Sequence, residues 1–224
     1  NLWAGTGAGL SIAGADSAVR EISLSDLTGS GDGQTVYSIF RDSRERLWLG
    51  GSNGIIQAPA CLTPGADASQ VRWHEASSES HPIAHNRVRA IAETSDGCVW
   101  VAGDGGLNLF DERTGRFRRL RVSDRTHTHN ANWAYALAED SSEHKLWVGG
   151  YLGGACRLDM DLLERGDGPC VSDTVLTAED GALANNLISN MVRDRDGGLW
   201  VLLFRDGTLV RLDPSDGYKS LKVD

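Results

Sequence analysis

Apolar and polar positions alternate along most of this chain at a spacing of two. Four segments show it best: Val36-Tyr37-Ser38-Ile39-Phe40-Arg41-Asp42, Val88-Arg89-Ala90-Ile91-Ala92-Glu93, Ala134-Tyr135-Ala136-Leu137-Ala138-Glu139-Asp140 and Ile188-Ser189-Asn190-Met191-Val192-Arg193-Asp194. That period predicts strands, and the small residues among them suit a strand beside a crowded central axis. A polar turn follows each segment, with Asp96-Gly97 and Asp196-Gly197 supplying the positive φ of a hairpin. Next comes a strand around Leu-Trp or Val-Trp, then a Gly-containing turn and a third strand such as Gly106-Leu107-Asn108-Leu109-Phe110. The outermost strands, Phe117-Arg118-Arg119-Leu120-Arg121-Val122 among them, are the least regular. Their alternating charges discourage pairing with foreign strands.

The tryptophan pairs recur as Leu2-Trp3, Leu47-Trp48, Val99-Trp100, Leu146-Trp147 and Leu199-Trp200, 45 to 53 residues apart. That is the length of a four-stranded propeller blade. The expected fold is therefore an all-β propeller of about five repeats of four-stranded antiparallel blades. The blades divide as 1–30, 31–80, 81–126, 127–182 and 183–224, with the first lacking its inner strand. A β-sandwich would not repeat one tryptophan five times, and no helical period survives a window of eleven residues. The chain reads as one propeller domain or a fragment of one. A closed five-bladed ring would need a strand before Asn1 or after Asp224 to complete blade 1.

The combined pattern V-x-x-I-x-x-D-x-x-G-x-L-W-x-G-(T/G)-x-x-G-L resembles the two-component regulator propeller repeat. It runs from Val36 to Ile56, Val88 to Phe110, Tyr135 to Leu158 and Ile188 to Leu212, with Leu2 to Leu10 as a truncated copy. The lead-in L-x-x-N recurs as Ile83-Ala84-His85-Asn86 and Leu183-Ala184-Asn185-Asn186. Two places depart from it: Ser43-Arg44-Glu45-Arg46 lacks the turn glycine, and Val201-Leu202-Leu203-Phe204 lacks the glycine that follows tryptophan elsewhere. The resemblance implies an extracytoplasmic, periplasmic or extracellular sensor of a bacterial membrane receptor. It also implies a parent propeller of about seven blades, a homodimeric receptor, and a small-molecule or oligosaccharide signal relayed to a membrane-linked output domain.

Charge narrows the partners. With 22 basic against 31 acidic residues the chain carries a net charge of −9 and no basic stripe. Such a surface repels phosphate backbones, so no nucleic-acid partner is expected. No apolar run approaches the roughly 18 residues of a membrane span, so this segment itself should not contact a bilayer. No signal peptide is visible. Cys61, Cys98, Cys156 and Cys170 form no C-x-x-C pair; a disulfide between Cys156 and Cys170 stays open, and would imply an oxidising compartment.

Catalytic signatures are missing: there is no strand-to-helix G-x-S-x-G elbow, no H-E-x-x-H and no P-loop. No catalytic residue, metal centre or cofactor is expected. The rival readings are a propeller enzyme of the lyase, lactonase or glycosidase kind, with Glu93 or Glu139 near the axis, and a protein-interaction scaffold. Candidate binding residues come instead from loops. Loops entering inner strands share a face with those between second and third strands, which gathers His85, Arg87, His127, His129, Asn130 and Trp133 with Asp104, Tyr151 and Arg205. Imidazole, amide, guanidinium and aromatic groups together suit a sugar or another polar ligand. Each has a plainer reading: the histidines as exposed loop residues, Trp133 as core, Asn86 and Asn186 as turn residues.

Overall fold

The computed structural model describes residues 2–7, 9–16, 18–29, 34–64, 67–80, 82–120, 122–123, 132–166, 170–205 and 207–222. Consecutive strands pair into antiparallel sheets in chain order. Blade 1 has three strands, β1 (Leu2–Thr6), β2 (Gly9–Ala13) and β3 (Val19–Ile22), followed by helix α1 (Leu24–Thr28). Blade 2 holds β4 (Val36–Arg41), β5 (Arg46–Gly51), β6 (Gly54–Pro59) and β7 (Arg72–His74). Blade 3 holds β8 (Val88–Glu93), β9 (Val99–Gly103), β10 (Gly106–Asp111) and β11 (Arg116–Leu120), and then a short β12 (Val122–Ser123). Blade 4 has β13 (Ala134–Asp140), β14 (Lys145–Gly150) and β15 (Ala155–Asp159). After helix α2 (Met160–Arg165) and β16 (Cys170–Val171), β17 (Thr174–Leu176) completes it. Blade 5 is β18 (Ile188–Arg193), β19 (Leu199–Leu203), β20 (Leu209–Asp213) and β21 (Lys219–Lys222). The inner strands β4, β8, β13 and β18 lie side by side, and β1 packs on β4. The all-β propeller architecture expected from the repeat is the one observed, with a three-stranded first blade.

Alternation within each second strand sends neighbouring side chains to opposite faces, so each blade joins two interfaces. Leu47 and Leu49 pack toward blade 1 with Leu10, Ile12 and Leu24, whereas Trp48 packs toward blade 3 with Val88, Val99 and Phe110. In blade 3, Val99 and Val101 face back to blade 2 while Trp100 faces Leu146, Leu158 and Met160 of blade 4. Trp147 in turn lies against Leu199, Val201 and Tyr218 of blade 5. The repeated tryptophan is thus the apolar plug between one blade and the next. Trp48, Trp100 and Trp147 are fully buried, and truncating such a residue costs about 3–5 kcal/mol.

The structure departs from the sequence expectation at several points. Two short helices stand between blade strands where no helix was expected, because one or two turns cannot establish a helical period. The end signals of α2 are nonetheless legible: Asp159 caps it by accepting from the Leu162 amide, and Gly166 closes it at φ 71°. The turn that lacks glycine in blade 2 places Glu45 at φ 60°, and His144 takes the same role in blade 4 at φ 52°. In blade 3, β11 ends at Leu120, and β12 pairs in parallel with β16, Val122 beside Cys170. Cys156 is buried and lies opposite Val148 and Val175. The side chain of Cys170 lies outside the described residues, and with it the disulfide question.

Candidate functional site at the inner-strand bulges

Each inner strand carries the same irregularity near its start. The register with the second strand jumps between Val36 and Ser38, Val88 and Ala90, Ala134 and Ala136, and Ile188 and Asn190. A bulge leaves its extra residue out of the ladder and re-aims the side chain. The residues so placed are Tyr37, Arg89, Tyr135 and Ser189, one from each of four successive blades. The loops that follow the second strands close over the same end. Ser52, Asp104, Tyr151 and Phe204 donate their amides to the carbonyls of Thr35, Arg87, Trp133 and Leu187 at 2.8–3.1 Å.

Arg89 is the centre of this face. Its guanidinium carbon lies 4.6 Å from the ring centroid of Tyr37 and 4.6 Å from that of Tyr135. Its Nε donates to Asp104 Oδ1 at 3.1 Å, and Arg87 approaches the other Asp104 oxygen at 3.6 Å. Tyr135 stacks on Tyr151 with centroids 5.0 Å apart and planes 27° off parallel. Tyr151 then meets Trp133 edge-on at 6.0 Å and Phe204 at 6.4 Å. A continuous arc of rings and one cation therefore runs from blade 2 to blade 5. Burial pushes the Tyr135 phenol above the ordinary tyrosine value, although the Arg89 cation acts against it. Tyr37, Trp133 and Phe204 keep much of their surface open to solvent, which leaves faces on which a ring can stack.

Of the residues singled out in the sequence, Arg87, Asp104, Trp133 and Tyr151 meet in this arc. His85 is exposed, with its Nδ1 accepting from the Arg87 amide at 3.0 Å and its Cβ lying over Gly105. Arg205 is exposed next to Phe204 in the sequence. His127, His129 and Asn130 lie outside the described residues. The structure adds Phe204, in the turn after β19, and Tyr37, Arg89 and Tyr135, which a strict alternation had hidden inside strands. The signal was there: large or charged residues at the second position of inner strands otherwise made of small ones.

Two sets of sequence candidates turn out to be brackets between elements. Asn86 accepts from the Ala76 amide at 2.6 Å and donates to Asn53 Oδ1 at 3.1 Å; Asn186 accepts from the Ala178 amide at 2.7 Å. Glu93 accepts from the amide and hydroxyl of Ser43 in blade 2, both at 2.7 Å, and Glu139 does the same with Ser95 of blade 3. A cleft of about 420 Å³ opens between blades 4 and 5 beside Asp180 and Tyr218. Its carboxylate is occupied by the amides of Thr177 and Ala182, so that cleft offers little for recognition.

Residues 30–53 and 82–105 match the family model described as the two component regulator propeller. The extracellular domain of the hybrid two component system BT4673 from B. thetaiotaomicron is similar at 28% identity and a TM-score of 0.81, over 95% of this chain and 30% of that one. The corresponding domain of BT3049 from the same organism is similar at 17% identity and a TM-score of 0.62, over 92% and 24%. Virginiamycin B lyase from Staphylococcus aureus is similar at 14% identity and a TM-score of 0.66, over 97% and 64%; at such identities the likeness concerns the fold alone. This chain spans about a third of the length of the BT4673 domain. No curated protein sequence matches it. Among the described residues no helix is long and apolar enough to cross a membrane. The family match thus falls on two of the repeats, the inner and second strands of blades 2 and 3.

Proposed function

We propose that this chain is a non-catalytic, ligand-binding stretch of an extracytoplasmic sensor propeller, and that it binds its signal on the face built by the inner-strand bulges. The observation that carries the reading is the arc Tyr37, Arg89, Tyr135, Tyr151, in which three successive blades present aromatic or charged groups at one end instead of small ones. Open ring faces on Tyr37 and Trp133, rimmed by Arg87, Arg205 and His85, suit a polar ligand with an apolar face, such as an oligosaccharide. The likeness to extracellular sensor domains supports a periplasmic or extracellular setting. Relay would then pass through a homodimeric parent receptor, whose output shifts only if the ligand prefers one arrangement of the receptor over another.

The enzyme reading had rested on Glu93 and Glu139 near the axis. Both carboxylates are held by serine amides and hydroxyls of the preceding blade, which favours a structural role for them. Calorimetric titration with a panel of neutral and acidic oligosaccharides tests the proposal. One member should bind, and Trp133→Ala and Tyr37→Ala should each weaken it about tenfold or more, as the loss of a stacking contact does. Equal binding by wild type and both variants would remove the site from this face.

A further inference from the structure

Five donor-bearing side chains converge at the opposite kind of turn, between the β8–β9 hairpin of blade 3 and helix α2 of blade 4. Asp96 and Cys98 belong to that hairpin, His144 to the β13–β14 turn, and Asp161 and Glu164 to α2. One ligand atom from each of Asp96, Cys98 and Glu164 lies within 4.8 Å of the other two, and the same holds for His144, Asp161 and Glu164. Glu164 is common to both sets. His144 Nε2 stands 3.3 Å from Asp161 Oδ1 and 3.9 Å from Glu164 Oε1. That glutamate oxygen is shut off from solvent and has no hydrogen-bond donor among the described residues.

The charge balance points the same way. Among the described residues, no lysine or arginine comes within ion-pair distance of Asp96, Asp161 or Glu164, whereas Asp42, Asp159 and Asp194 each face a cation. Three carboxylates gathered around a shielded acceptor, without a fixed cation, repel one another unless a shared proton or a metal cation joins them. Sulfur and imidazole donors beside carboxylate oxygen are the mixture that zinc and its neighbours take. An ion at about 2.0–2.3 Å from its donors would draw the two sets together through Glu164, in a five-coordinate shell.

We propose that this inter-blade cleft binds one divalent transition-metal ion of the zinc class, with Glu164 at its centre, Cys98 and Asp96 from blade 3, and His144 and Asp161 from blade 4. The ion would tie blade 3 to blade 4 on their hairpin side. No compact ligand motif announces it, because positions 96, 98, 144, 161 and 164 belong to three elements of two blades.

The test uses the tag-free chain, stripped with a chelator and titrated with Zn²⁺ and with Co²⁺. Co²⁺ should bind one to one and develop a thiolate-to-cobalt charge-transfer band, and Zn²⁺ should displace it and raise the thermal midpoint. Cys98→Ser should abolish the band; Glu164→Gln and His144→Ala should each weaken Zn²⁺ at least about tenfold. Asp161→Asn, on the exposed side of α2, gives a variant that keeps the fold if Glu164→Gln does not, and it too should weaken Zn²⁺. Absence of binding overturns the proposal. So does binding without the band, or an affinity unchanged in Cys98→Ser or Asp161→Asn, since the metal would then sit on other histidines or carboxylates.

Discussion

The Trp48 indole donates to Asp42 Oδ2 at 2.8 Å, from a ring that is fully buried. Asp42 ends the inner strand and begins its hairpin. It also accepts from the amides of Arg44 and Arg46 at 3.0 and 2.8 Å and from Arg46 Nε at 2.6 Å. One carboxylate therefore fixes the turn and aims the tryptophan that plugs the next blade. Thr94 replaces it in blade 3, with its hydroxyl accepting from Trp100 at 3.0 Å, and Asp194 repeats it in blade 5 with Trp200 at 3.0 Å.

These carboxylates make stability depend on acid. Burial alone would raise Asp42, but the Trp48 indole and the Arg46 amide and guanidinium together hold it below the usual carboxylate value. Arg211 does the most to hold Asp194 down, to about 2. Both folded values lie below the unfolded one, so the stabilisation is complete above pH 4 or so and is lost as pH falls through the folded values. The thermal midpoint should therefore decline steeply between about pH 4 and pH 2. Asp42→Asn should lower stability at neutral pH by about 1–3 kcal/mol and flatten the acid decline. A variant whose acid limb matches that of the wild type would refute the assignment.

Blade 4 breaks the pattern. Asp140 is taken by Arg193 of blade 5 and by the Ser142 hydroxyl, and Trp147 Nε1 is buried without a hydrogen-bond partner among the described residues. Replacing tryptophan by phenylalanine therefore removes a satisfied donor in blade 2 and an orphaned one in blade 4. Trp48→Phe should cost more than Trp147→Phe by about 1–2 kcal/mol in urea denaturation. Equal losses would mean that the indole hydrogen bond contributes nothing beyond packing.

Two positions beyond the tryptophan, close packing between blades restricts the side chain. A Cβ on Gly50 would stand 2.5 Å from Val88 Cγ1 of blade 3, and one on Gly149 would stand 2.6 Å from Ile188 Cγ2 of blade 5. Leu202 holds the same place in blade 5 and is 36% exposed. Gly149→Val should destabilise by about 1–3 kcal/mol through overpacking, whereas Leu202→Ser should stay within about 0.5 kcal/mol in this chain. A tolerated Gly149→Val would show that the inner strand of blade 5 can yield.

The propeller was legible because one residue type, spaced by the length of a blade, has one structural job, and the glycines and turn aspartates around it follow from that job. The loss of glycine after Trp200 was visible in the sequence, and its physical meaning needed the neighbouring blade. Helix α2 escaped because six residues carry no period, although Asp159 and Gly166 mark its ends. The candidate site was half legible. Asp104, Tyr151, Trp133 and Arg87 could be placed on one face from loop order alone. Tyr37, Arg89 and Tyr135 could not, because a bulge shifts register by one residue and alternation counted across it assigns the side chain to the wrong side.

Arg89 offers the sharpest test of that face. A guanidinium is planar and weakly hydrated, so it can lie between two rings and still donate sideways to a carboxylate, which a lysine ammonium cannot do. Contacts of this kind give about 0.5–1 kcal/mol each when exposed and about 2 when desolvated, and the Arg89 side chain is only 19% exposed. Arg89→Lys keeps the charge and loses the stack. It should destabilise by about 1–2 kcal/mol and weaken the near-ultraviolet circular dichroism of the tyrosines, because Tyr37 and Tyr135 lose their common neighbour. In a double-mutant cycle with Tyr37→Leu the two changes should be less than additive, since either one breaks the same contact. Additive effects with an unchanged tyrosine spectrum would show that Arg89 is held by Asp104 alone. The aromatic arc would then be two separate pairs with no common cation, and its claim to be one recognition surface would fail.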